Sequence, residues 1–216
     1  MRRHWMCAPM IALCLLLPSC GGETGNAAEE LALEIRGEYL SMAGCTARAE
    51  LTADYGQRVY TYGLDISCTQ EETVLTITEP ENISGVTARI QAVETVLEYD
   101  GVRVETGALN RDGLSPMDAV PALLTAAKEG FLAQSVLEGS GEEAETLHIT
   151  IRDPEIPAGS GTEFQLWFAA DTHALVRGEI SEDGATVIQC SFSGFTRSEG
   201  GGKDAPPAQP GDEEKL

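Results

Sequence analysis

The chain has 216 residues, with 14 basic side chains, 35 acidic ones and a formal net charge of −21. So acidic a chain is repelled by nucleic acid and by anionic headgroups, which argues against a DNA or RNA role on electrostatic grounds; solubility alone accounts for the acidity. Its length suits one domain with a real core once the two ends are set aside.

Arg2 and Arg3 precede a short apolar run over residues 10–17, and Leu17-Pro18-Ser19-Cys20 then opens into Gly-Gly-Glu-Thr-Gly. A basic start, a short apolar stretch and a small residue describe a secretory signal. The run is too short to stay in a bilayer as a spanning helix. A cysteine directly after Ser19 resembles the lipobox of bacterial lipoproteins, although Pro18 departs from the small or polar residue usual at its place. That resemblance implies cleavage before Cys20, lipidation of Cys20 by thioether-linked diacylglycerol and palmitate-type acyl chains, and anchoring on the extracytoplasmic face of the cell membrane. In a cell with an outer membrane that face is periplasmic. Each buried methylene of the anchor contributes about 0.8 kcal/mol. The alternative is an ordinary signal peptide cut near Asn26-Ala27-Ala28. The expected organisation is a signal over 1–19, a flexible tether over 20–27, a folded domain over 28–198 and a disordered acidic Gly/Pro-rich tail over 199–216.

Asn26-Ala-Ala-Glu29 has the form of a capping box, and Leu31, Ile35, Tyr39 and Met42 then make one apolar stripe against Glu30, Glu34, Glu38 and Ser41. The stretch "CTARAELTADYGQRVYTYGLDISC", residues 45–68, reads as a hairpin turning about Gly56-Gln57. Paired in that register, Ala47–Ile66, Ala49–Leu64, Leu51–Tyr62 and Ala53–Tyr60 share one face. Thr46–Ser67, Arg48–Asp65, Glu50–Gly63 and Thr52–Thr61 share the other. A slip of one residue would mix the faces, so the register is well specified. Cys45 and Cys68 fall opposite each other on the apolar side.

"VLEYDGVRVE" is a second hairpin about Asp100-Gly101, with Tyr99 beside Val102 and Leu97 beside Val104 on one face, and Glu98 beside Arg103 on the other. Further alternating runs cover 73–78, 86–91, 146–152, 162–169, 175–181 and 186–193, the last two joined at Glu182-Asp183-Gly184-Ala185. In "SPMDAVPALLTAAKEG", Ser115-Pro116 caps a first turn. Pro121 forbids one continuous regular helix, so a helix from Pro121 to Glu129, stopped by Gly130, fits. The fold class expected is mainly β (α+β): a strongly curved antiparallel sheet, a half-open β-barrel of about ten or eleven strands, with a few helices on its concave apolar face.

The order of these segments is similar to that of the lipoprotein-localisation carriers (LolA-like proteins). That superfamily includes outer-membrane lipoprotein-sorting proteins, glycolipid-carrying envelope lipoproteins and the periplasmic regulator of an envelope-stress anti-sigma factor. An amphipathic helix leads into the 45–68 hairpin, "ITEPENISGVTARI" gives strand, proline and strand, and "VLEYDGVRVETG" gives strand, Asp-Gly and strand. "LSPMDAVPALLTAAKEG" is the mid-chain helical insertion, and "FQLWFAADTHALVRGEISEDGATVIQCSFSGF" resembles the closing hairpins. The resemblance covers roughly residues 28–198. It brings no catalytic signature, and implies an apolar concave face, under the helices, that holds acyl chains. Leu51, Tyr60, Tyr62, Leu64, Ile66, Leu97, Tyr99, Val102 and Val104 are the candidate lining of that cavity. Ala47, Ala49 and Ala53 are small for an inward face: either they leave room for a ligand, or Tyr60, Tyr62 and the helix side chains fill the space.

His4, His148 and His173 are the only histidines. His4 lies in the signal, His148 alternates on a strand and His173 sits in a turn, places that suit surface or structural roles. No nucleophile elbow, Cys-x-x-Cys, His-Glu-x-x-His, phosphate loop or EF-hand pattern occurs, and Ser181-Glu182-Asp183 reads as a turn rather than a calcium site. No catalytic residue, metal ligand or cofactor is therefore assigned, and an enzyme is the weakest of three readings. The first is a membrane-anchored, non-enzymatic binder or carrier of lipid or lipoprotein acyl chains. The second is an envelope scaffold or sensor that binds another envelope protein through the same fold, its acidic surface steering a basic partner. A monomer is expected. Cys45 and Cys68 are either a cross-strand disulfide, which would stabilise by about 3 kcal/mol, or two buried thiols like Cys190.

Overall fold

The computed structural model describes residues 22–108, 112–139 and 145–199. The signal, Cys20 and the tail from residue 200 onward lie outside them. Helix α1 (Gly22–Ser41) starts upstream of Asn26, the residue expected to cap it, so the expected tether is helical from Gly22 on. The Ala-Ala-Glu-Glu-Leu-Ala run has high helix propensity and carries no stop signal at that end. Ala28, Ala32, Ile35 and Tyr39 are buried and Leu31 packs partly against them, much as the stripe predicts. Met42 is already the first residue of a strand.

Eleven strands follow among the described residues: β1 (Met42–Asp54), β2 (Val59–Thr69), β3 (Thr73–Glu79), β4 (Thr87–Ile90), β5 (Thr95–Tyr99), β6 (Val102–Glu105), β7 (Leu132–Glu138), β8 (Thr146–Arg152), β9 (Thr162–Ala169), β10 (Leu175–Glu182) and β11 (Ala185–Glu199). Helix α2 (Ala119–Glu129) lies between β6 and β7 in the chain. The strands form one antiparallel sheet in the order β6-β5-β4-β3-β2-β1-β11-β10-β9-β8-β7. Two meanders, β1–β6 and β7–β11, are thus fused where the first strand pairs with the last. The sheet is curved and unclosed, the half-open barrel expected of the sequence.

The β1–β2 register is the one the alternation predicts: Ala47 faces Ile66, Arg48 faces Asp65 and Cys45 faces Cys68. Arg48 and Asp65 are 3.4 Å apart on the solvent face, at 82% and 56% exposure, where a pair contributes about 0–1 kcal/mol. Asp100 and Gly101, and likewise Asp183 and Gly184, have positive φ at the centres of two-residue turns, the geometry that matches the twist of the flanking strands. β7 was not expected. Its apolar Leu132, Val136 and Leu137 fall on both faces of the strand, and it is a half-buried edge, so no clean period marks it.

Both helices pack on the face that carries Leu51, Ile149, Leu166, Ile180 and Ile188, all buried. Tyr39 pins α1. Its hydroxyl donates to the His173 carbonyl (3.1 Å) and accepts from the Leu175 N–H (3.0 Å), and its ring sits edge-on to Phe168. α1 also binds α2, through Arg36 Nη2 donating to the Gly130 carbonyl at 2.7 Å. α2 begins at Ala119, two residues before the expected start, which leaves Pro121 in the first turn, where its missing N–H removes no intrahelical bond. Gly178 lets the helix approach: a Cβ there would lie 2.8 Å from both Leu123 methyls.

Gly178→Val is expected to destabilise the protein by about 2 kcal/mol through overpacking under α2. Gly37→Ala, at an exposed helical glycine with open space around it, is expected to raise stability by about 0.5–1 kcal/mol. Denaturant unfolding of the two variants checks both.

Candidate binding cleft

The connection β6–α2–β7 lays α2 mainly over β9 and β10 and against α1. A cleft of about 780 Å³ runs along the uncovered flank of the helix, within the range of small-molecule sites. α2 lends it Pro121, Ala122, Thr125, Ala126 and Glu129. The first meander lends the β2–β3 turn (69–73) and the end of β4 (90–92). The second lends Phe131, the end of β8 (151–154), and Thr162 and Phe164 of β9.

The lining has two characters. Ile90, Ala92, Pro121, Ala122, Ala126, Ile151 and Phe164 form an apolar surface, extended by Phe131, which is 54% exposed. Thr69, Gln70, Glu71, Gln91, Thr125, Glu129 and Asp153 give a polar rim, all exposed. Asp118 is buried at the N-terminus of α2, where Oδ1 accepts from the Ser115 N–H and hydroxyl, both at 2.8 Å. Burial raises the Asp118 pKa and outweighs those two bonds. Glu72 pairs with Arg89 at 3.3 Å, and Arg89 also holds Glu98 at 3.2 Å. Arg152 donates to the Ile156 carbonyl at 2.9 Å. A second depression, of about 430 Å³, lies on the opposite, polar face beside Arg48 and Asp65.

None of the nine residues expected from sequence to line a cavity lies on the larger cleft. Leu51, Leu64 and Ile66 are buried in the core, and Tyr62 and Leu97 pack partly against it. Tyr60 is exposed near the β1–β2 turn beside Tyr55, and Tyr99, Val102 and Val104 are exposed at the free edge of the first meander. Ala47, Ala49 and Ala53 are buried too, Ala49 with Leu64 and Phe192 as its partners on the neighbouring strands. The hairpin registers fix which face is apolar, but where α2 crosses that face depends on contacts distant in the chain, such as Leu123 with Gly178. The signal for the cleft was present in the mid-chain helix "PALLTAAKE", whose small residues Ala122 and Ala126 form its wall.

His173 and His148 have structural partners. His173 bonds Glu38 at 2.9 Å, and Glu38 also pairs with Arg197. His148 stacks on Trp167 and bonds Glu138 and Gln165, each at 2.6 Å. Asp183 Oδ1 accepts the Gly161 N–H at 2.9 Å across a turn. Among the described residues no group of three or more His, Cys, Asp or Glu side chains could hold a metal ion. No helix among them is long and apolar enough to cross a membrane.

Cys45, Cys68 and Cys190 are buried free thiols in this structure. Cys45 and Cys68 face each other next to Thr69 and Thr73 of the cleft wall. The Cys45 thiol donates to Cys68, which together with burial raises Cys45 well above the usual thiol range. Cys68 accepts that bond, is also bonded to Thr73, and is lowered. Cys190 is pushed up to about 12 by burial alone.

No protein-family model matches the chain, and no curated protein matches it. Solved structures do resemble it. A DUF1329 family protein from Desulfovibrio piger is 11% identical, over 83% of this chain and 95% of its own, with a TM-score of 0.45. A LolA superfamily protein from Nitrosomonas europaea is 11% identical, over 83% and 94%, with a TM-score of 0.41. LprF from Mycobacterium bovis is 14% identical, over 81% and 95%, with a TM-score of 0.45.

The facing register of Cys45 and Cys68 leads us to propose that they oxidise to a disulfide outside the cytoplasm. Alkylation of the unreduced, denatured protein is expected to label Cys190 and leave this pair unlabelled. Labelling of Cys45 and Cys68 in the unreduced protein would sink the disulfide.

Proposed function

We propose that the chain is a non-enzymatic lipoprotein, anchored at the extracytoplasmic membrane face through acylated Cys20, that binds or carries lipid or lipoprotein acyl chains. The cleft along α2 carries this reading: a half-open space of about 780 Å³ with an apolar wall and a polar rim fits an amphiphile better than a wholly polar metabolite. The way Gly178 and Gly130 seat α2 against the second meander supports it, because one flank of the helix stays open toward the β2–β3 turn and the end of β4. The membrane anchor rests on the sequence around Cys20, and with it the expectation of short-range transfer between membrane and envelope.

Full-length protein carrying Cys20→Ser, which cannot be acylated, is expected to retain co-extracted lipid detectable by native mass spectrometry. Thr125→Trp, at an exposed cleft-facing position on α2, is expected to cut that lipid at least several-fold with unchanged thermal stability. Consistently empty wild-type cleft, together with no uptake of an uncharged pyrene-labelled alkyl chain, contradicts the proposal.

A protein partner is the second reading. It is favoured by the free edge of β6, where Val102 is 63% exposed and Val104 51%, a strand open to addition of another. Crosslinking in the native membrane to one reproducible partner, lost on Val104→Lys, supports it.

A further inference from the structure

The charge of the cleft rim restricts the headgroup of its ligand. Three exposed carboxylates, Glu71, Glu129 and Asp153, stand on it, one from each of the three elements that build the cleft. A fourth, Glu72, is matched by Arg89, which is shared with Glu98. Asp118 adds a buried carboxyl at the helix start. Among the described residues the lining has one cation, Arg152, whose Nη1 donates to the Ile156 carbonyl. Lys128, the one basic residue of α2, is close to the Cys45–Cys68 pair and is not part of the lining. The remaining rim groups, Thr69, Gln70, Gln91, Thr125 and Thr162, are uncharged donors and acceptors. A headgroup entering this mouth beside the apolar wall meets surplus negative charge and hydrogen-bond acceptors.

Resting on the lipid-binding reading above, we propose that the cleft selects acylated ligands whose headgroup carries no negative charge and donates hydrogen bonds through hydroxyl groups, and rejects anionic headgroups. A phosphate or free carboxylate seated there would lie beside Glu71, Glu129 and Asp153, three exposed carboxylates against the one lining cation among the described residues, Arg152, whereas hydroxyls can donate to those carboxylates. This restricts the amphiphile to the uncharged fraction of a membrane's lipids, although anionic lipids are abundant at many membrane surfaces.

The test compares two ligands with the same acyl chain, 1-acylglycerol and 1-acyl-lysophosphatidylglycerol, titrated below their micellar concentrations into full-length Cys20→Ser protein. At about 0.01 M salt, where screening is weak, the uncharged ligand is expected to bind about tenfold or more tightly. Glu71→Gln/Glu129→Gln/Asp153→Asn removes charge from exposed positions only, and is expected to bring the two affinities within about threefold while leaving the uncharged ligand's affinity little changed. Equal or tighter binding of the anionic ligand by the parent protein, or an undiminished preference in the triple variant, overturns the proposal while leaving the lipid-binding reading standing. Binding of neither ligand overturns both.

Discussion

The structure depends on the pairing of β1 with β11. Each meander is built from neighbouring strands joined by short turns, but neither covers its own apolar face. The long central pair, with Ala49 beside Phe192, Leu51 beside Cys190 and Ala53 beside Ile188, fuses them into one sheet and places their buried side chains in a common core. These contacts join residues more than 130 positions apart, so they are costly to form in loop entropy and rewarding only once both meanders exist. The register shifts between Thr46 and Arg48, where Gly194 has a φ of 59° on the facing strand. Such irregularities bend and twist a sheet locally, which suits a sheet that curves round its helices without closing.

The asymmetry of helix placement follows from that centre. α2 is in the crossover between the meanders, and its neighbours are fixed by small residues. Gly178 admits Leu123 and Gly130 admits Ile151, while a Cβ at Gly113 would meet Ile180 and Ala122. α1 joins from the other side through Arg36 and Tyr39. Both helices therefore make their main strand contacts with the second meander. The flank of α2 toward the β2–β3 turn and β4 has no covering element among the described residues, and the cleft is that gap.

Local pattern made much of this legible in the sequence, and long-range placement did not. The hairpin 45–68 could be paired residue by residue because alternation and a single turn leave one register that buries Ala47, Leu51, Leu64 and Ile66 together. The Asp100-Gly101 and Asp183-Gly184 turns were legible for the same reason. β7 escaped because its apolar residues serve two faces at a sheet edge. The start of α1 escaped because an alanine-rich helix extends past a plausible cap. Apolar alternation marked Tyr99, Val102 and Val104 as inward-facing; they share that face of the sheet, but no helix reaches them and they are exposed. Alternation reports which side of a strand is apolar. Which part of that side stays open is decided by α2, whose position is set by Gly178 and Gly130, residues that carry no periodic signal at all.

The resulting molecule offers an amphiphile an apolar wall from α2 and both meanders, a polar rim, and a thiol pair at one end. Its acidity, which by itself indicates little beyond solubility, acquires a local meaning at the rim of the cleft. The account stands on the claim that an acyl chain lies along α2. Photo-crosslinking with a 1-acylglycerol carrying a diazirine midway along its chain, followed by peptide mapping, tests that claim most directly. The account requires label on Thr125, Phe131, Ile151 or Ile90. Label confined to Tyr99, Val102 and Val104 of the β5–β6 edge, or spread over the polar face around Arg48, would contradict it.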